Sequence, residues 1–186
     1  APGRILSTLS RRDADVQTTW VLEPLLKDME DTFAYLQLPE ETPGELDPAP
    51  LLEEEQKLGD SGIISIESSD PLCCAAELFS MADYTVIAMT EPKIFHQLLD
   101  RFARILFPRC AQVARLFPER LWRICGSEYA SEPYLPPRLY DEYVVQYTGE
   151  MVRMIQQGGS WARIHSHGRL RGIMPLIAAK IGRAHV

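Results

Sequence analysis

From residue 62 onward the chain alternates short apolar segments with long amphipathic ones, and this alternation constrains the fold more than any other feature. Gly62 to Ser65 reads as a first buried strand. It is followed by the polar turn Ser68, Ser69, Asp70 and Pro71, then by helical material from Leu72 to Met89. A further helix is expected from Thr90 and Pro92, with Thr90 as N-cap and Pro92 in the first turn, where its missing N–H costs little. Its buried stripe is Ile94, Phe95, Leu98, Leu99, Phe102, Ile105 and Leu106. A second strand spans Leu121 to Gly126, and a helix from Pro137 to Gln157 stops at Gly158 and Gly159. A third strand, Trp161 to His165, leads through a turn at Gly168 to a last helix that includes Leu176 to Ala179. Strands separated by whole helices cannot pair as hairpins, so the three are expected to run parallel through right-handed crossovers. That places the chain in the α/β class, as an α/β barrel or a doubly wound sheet.

The N-terminal part is organised differently. Ile5 to Trp20 alternates in patches around the polar stretch Ser10 to Asp15, the pattern of a two-stranded hairpin. Leu25, Leu26, Met29, Phe33 and Leu36 then follow helical spacing over Leu25 to Leu38. The proline-bearing stretch Pro39 to Pro50 is a surface connection into a short acidic helix, Leu51 to Leu58.

Composition removes several classes of function. A net charge of -7 with no basic cluster argues against a nucleic-acid partner. Cys73, Cys74, Cys110 and Cys125 include an adjacent pair and no CxxC spacing, which suits neither a disulfide framework nor a structural zinc. Reduced cysteines point to a cytoplasmic protein. No apolar run approaches the roughly 18 residues of a membrane span, so no membrane partner is expected.

The residues best suited to chemistry lie where the strands end. His165-Ser166-His167-Gly168 is the strongest cluster, because side chains at i and i+2 of a strand share a face roughly 7 Å apart and let two imidazoles converge on one metal ion. Glu128 and Tyr129 follow the preceding strand, with Ser131 nearby. Glu128 is read either as a general acid or base or as a cap of the next helix. Asp70 is a candidate substrate contact, although Ser-Ser-Asp-Pro also suits an ordinary strand-to-helix turn. Arg163 alternates with His165 on one face and is placed to neutralise an anionic substrate.

Arg123 to Leu170 resembles the central part of the uroporphyrinogen decarboxylase superfamily, which includes corrinoid-dependent methyltransferases. The resemblance rests on the polar loop after the strand, the helix start with Pro137, Tyr140 and Tyr143, and the strand ending at His165-Ser166-His167-Gly168. Thr18 to Pro39 and Leu58 to Leu72 resemble earlier segments, so the similarity covers about Gln17 to Ala179. It implies a (β/α)8 TIM barrel with parallel strands and outer helices. Such a barrel takes roughly 250 residues or more. Residues 1 to 180 are therefore expected to be a partial barrel lacking its N-terminal and C-terminal parts, and inert by itself. Ile181 to Val186 read like the translation of a common sequencing-library adapter, hence a non-native tail.

In the methyltransferases of this family a His-x-Cys pair supplies two zinc ligands, and a later strand supplies the third. His165 matches the first, and His167 stands at the cysteine position, which keeps a zinc-competent nitrogen but makes the site harder. The resemblance thus implies zinc on His165 and His167, a small methylated substrate, and a corrinoid protein as methyl carrier. In the cofactor-free decarboxylases, the loop holding Glu128, Tyr129 and Ser131 meets a tetrapyrrole's carboxylate arms. Glu128 stands where a serine is expected and would repel them. A non-catalytic module binding a tetrapyrrole or corrinoid is the third implied possibility.

Overall fold

In the computed structural model, residues 4–40 and 43–180 are described. Strand β1 (Leu9–Arg12) pairs antiparallel with β2 (Thr19–Glu23) as the expected hairpin, although Ser10 to Arg12 belong to the strand and not to the turn. Helix α1 (Met29–Leu36) starts at Asp28, whose carboxylate accepts from the Asp31 N–H. Helix α2 (Ala49–Leu58) is the short acidic one.

The second half holds β3 (Ser65–Ser69), α3 (Pro71–Ala76), α4 (Met81–Thr90), α5 (Pro92–Leu116), β4 (Leu121–Cys125), α6 (Pro137–Tyr140), α7 (Gln146–Gln157), β5 (Trp161–Ile164) and α8 (Met174–Lys180). A π-helical turn, Asp141–Val145, joins α6 to α7. The three strands form one parallel sheet in the order β3-β4-β5, so the chain is a mixed α/β protein. The sheet's helix-covered face carries Trp122 and Ile124, buried against a core that includes Leu72, Phe95, Leu98, Tyr143 and Met151. The opposite face carries Ser65 and Glu67, Leu121, Arg123 and Cys125, and Trp161 and Arg163. Alternation along each strand puts them there, and Trp161 is 61% exposed.

Several local expectations are corrected. The first parallel strand lies at Ser65–Ser69 and not at Gly62 to Ser65, and it is a partly exposed edge strand. Gly59–Ser61 form a 3-10 turn just before, and Ile63 is 77% exposed, so the apolar Ile63-Ile64 pair marks the approach to the strand. Leu72 to Met89 is two helices. A break at residues 77–80 restarts at Ser80, whose hydroxyl accepts from the Asp83 N–H. Thr90 is the last residue of α4, where its hydroxyl donates to the Val86 carbonyl, and it does not cap α5. The expected tail at Ile181 to Val186 lies outside the described residues.

Arg101 fastens α5 to the end of α1. Its buried guanidinium donates to the carbonyls of Leu38 (2.8 Å) and Pro39 (2.9 Å) and lies 5.0 Å from the Tyr35 ring centroid. Arg101→Met keeps much of the aliphatic packing and leaves two carbonyls without donors, which is expected to destabilise the chain by about 2–3 kcal/mol. Chemical denaturation measures this. A loss below about 0.5 kcal/mol would mean that water replaces the guanidinium.

Candidate metal centre

Adjacent parallel strands put the ends of β4 and β5 side by side, and the loops beyond them build the site. At the end of β4, Gly126 turns the chain with φ +120°, and its N–H donates to Glu128 Oε2 at 3.0 Å. That bond folds the Glu128 side chain back over the strand end from the 3-10 turn Ser127–Ala130. β5 continues one residue further than its ladder, because the His165 N–H donates to the Ile124 carbonyl at 2.8 Å. The Ser127 hydroxyl then donates to the His165 carbonyl at 3.1 Å. The Ser131 hydroxyl lies 3.0 Å from the His167 carbonyl and 2.7 Å from the Glu128 carbonyl, and its single proton serves one of them at a time. Gly168 turns away with φ +108°, so close that a Cβ there would meet Ser131 Oγ at 2.5 Å.

The two imidazoles face the same side, with ring centroids 5.7 Å apart and planes at 70°. Glu128 Oε1 lies 3.8 Å from His167 Nε2. One ligand atom from each of Glu128, His165 and His167 falls within 4.8 Å of the others. Bond lengths of about 2.0–2.1 Å in a tetrahedral zinc site place ligand atoms roughly 3.4 Å apart. Closing the triad therefore needs movements of about an ångström, which the exposed His167 ring can supply. Two nitrogens and one carboxylate oxygen suit a borderline divalent cation, and the set leaves further positions open. The carboxylate of this candidate set comes from the turn directly after β4 and not from a later strand.

The other candidate residues are distributed around the triad. Ser131 is buried and supports the loops through its hydroxyl. Arg163 lies on the open sheet face. Tyr129 is turned towards α3 and α4. Its ring stands edge-on to Tyr84, its carbonyl accepts from the Tyr84 hydroxyl at 2.8 Å, and its own hydroxyl lies 3.4 Å from Glu77. Burial raises its pKa, and the Glu77 carboxylate adds to that. Asp70 lies under the Gly126 turn, fully buried, where it accepts from the Cys73 N–H (2.8 Å) and the Thr148 hydroxyl (3.0 Å). Its carboxyl is pushed up to about 7, chiefly by burial and in smaller part by the nearby Glu128 charge, against those hydrogen bonds. The structure thus brings Glu128, His165 and His167 together, with Ser131 beneath them, and directs Tyr129 and Asp70 elsewhere. Glu67, Arg123 and Cys125 were not singled out from sequence. Their signal is the period-two alternation of polar residues with Ile66, Trp122 and Ile124.

No family model matches the chain. No curated protein matches it either. Fold and site define an α/β protein with a candidate divalent-metal centre at the C-terminal ends of two neighbouring parallel strands.

Proposed function

We propose that the chain belongs to a metal-dependent enzyme built on a (β/α)8 barrel of the uroporphyrinogen decarboxylase type. In this reading it transfers a methyl group with a corrinoid protein as carrier, and it works in the cytoplasm. The convergence of Glu128, His165 and His167 carries the proposal. Parallel strands with the triad at their C-terminal ends support the barrel, since barrels of this type hold their sites on that rim. When bound, a zinc ion supplies Lewis acidity to a substrate atom. Glu128 offsets part of the ion's charge, His165 and His167 hold it at the rim, and the Ser127 and Ser131 hydroxyls fix the histidine backbones. The Tyr129 side chain is engaged with Tyr84 and Glu77. The Glu128 carboxylate disfavours the alternative of a cofactor-free decarboxylase acting on a tetrapyrrole rich in carboxylates.

Equilibrium dialysis against zinc tests the metal reading. About one zinc per chain is expected. His165→Ala and His167→Ala are each expected to weaken binding by more than the roughly 10–100-fold typical of losing a supporting residue around a metal. Glu128→Gln is expected to weaken it by about tenfold or more. Unchanged affinity in both histidine variants would sink the proposal. Methyl transfer is tested separately with a methylated corrinoid on the protein completed to a full barrel, where loss of carboxylate from uroporphyrinogen would favour the decarboxylase.

A further inference from the structure

On the open face of the sheet, strand register places Glu67, Arg123 and Arg163 in one row, since Glu67 pairs with Arg123 and Arg123 with Arg163. Glu67 is committed to one of the two cations. It forms an ion pair with Arg123 and accepts from the Cys125 thiol at 3.1 Å. The Arg163 guanidinium makes no hydrogen bond or ion pair among the described residues, and it is exposed. It precedes His165 by two residues on the same strand, which puts the two backbone positions roughly 7 Å apart. The sheet face that leads to the metal triad therefore carries one neutralised guanidinium and one uncompensated one. A divalent ion on Glu128, His165 and His167 would leave that end positive as well, so both ends of the stretch favour negative charge.

Resting on the metal reading above, we infer that Arg163 is a specificity-determining residue that anchors an anionic group of the substrate. The site then takes a small molecule with a metal-binding oxygen at one end and a carboxylate, sulfonate or phosphate a few bonds away. A guanidinium suits that role because its planar fork binds such groups through two parallel hydrogen bonds. Glu67 keeps Arg123 from competing for the same group.

The test uses the full chain loaded with Co(II), whose visible spectrum reports ligand binding. Acetohydroxamate and succinate monohydroxamate share the metal-binding group, and only the second adds a carboxylate. The wild type is expected to bind succinate monohydroxamate about tenfold more tightly, the scale of one hydrogen bond to a charged group. Arg163→Gln is expected to bring the two ligands to parity while leaving cobalt affinity unchanged, and Arg163→Lys to retain part of the preference. Equal affinities in the wild type, or a preference that survives Arg163→Gln, would overturn the inference and leave the metal site standing. A chain that takes up no cobalt would overturn both.

Discussion

Gly126→Ala is expected to lower the stability of the chain by about 2–6 kcal/mol and to weaken metal binding at the same time. Two separate costs add. A side chain at φ +120° is strained whatever the space around it, by about 1–3 kcal/mol. The new Cβ would also lie 2.4 Å from Cys73 Cβ and 2.5 Å from Asp70 Oδ1, and relieving such overpacking costs about 1–3 kcal/mol more. Neither neighbour can swing aside, because Cys73 sits in the first turn of α3, and Asp70 caps that helix and is held by two hydrogen bonds. Against a typical total of about 5–15 kcal/mol, the variant stands near the edge of folding. Any shift of the turn also moves the N–H that fixes Glu128. Denaturant titration and zinc dialysis on the same preparations measure both effects. A Gly126→Ala chain within about 0.5 kcal/mol of the wild type would show that the turn yields freely.

The buried Asp70 carboxyl is expected to make the chain less stable as pH rises, the reverse of a salt-bridged aspartate. Its pKa in the folded chain is raised from 3.8 to about 7, chiefly by burial, so the folded state holds the proton over a range where the unfolded state has released it. Between those two values the folded state binds more protons, and stability falls with each step in pH. The contribution is intact below about pH 4 and is lost as pH passes through about 7. At about 1.36 kcal/mol per pH unit, the whole interval amounts to at most about 4 kcal/mol. Asp70→Asn keeps an acceptor for the Cys73 N–H and removes the charge, so its stability is expected to stay nearly level from pH 5 to 8. Unfolding midpoints of both proteins across that window decide the matter. Parallel profiles would show that Asp70 is not the group responsible.

Much of the second half was legible because its signals are local. The Asp70-Pro71 helix start, the apolar stripe of α5 and the Gly158-Gly159 stop each act within a few residues, and strands separated by whole helices leave only parallel pairing. The i, i+2 spacing of His165 and His167 likewise anticipated a shared side. What escaped depends on partners distant in sequence. Ile63 looks like strand core until the 3-10 turn before it shifts the strand to Ser65. Thr90 has the chemistry of a cap, yet the preceding helix runs through it. Glu128 was ambiguous between cap and site, and the Gly126 N–H decides where its carboxylate goes. Arg163 is distinguished from Arg123 only by the register that hands Glu67 to Arg123, and no local pattern encodes register across three intervening helices.

The two loops at the triad are latched to each other before any ion arrives. Ser127 holds the His165 carbonyl, Ser131 lies against the His167 carbonyl and against Gly168, and Glu132 bridges to Arg169. Conformational freedom of the ligand backbones is therefore given up during folding, and a cation that binds has little left to order. An ion held there would leave without unfolding the loops. Any adjustment to the size of a bound cation would fall to the side chains, above all to the exposed His167 ring, and not to the backbone.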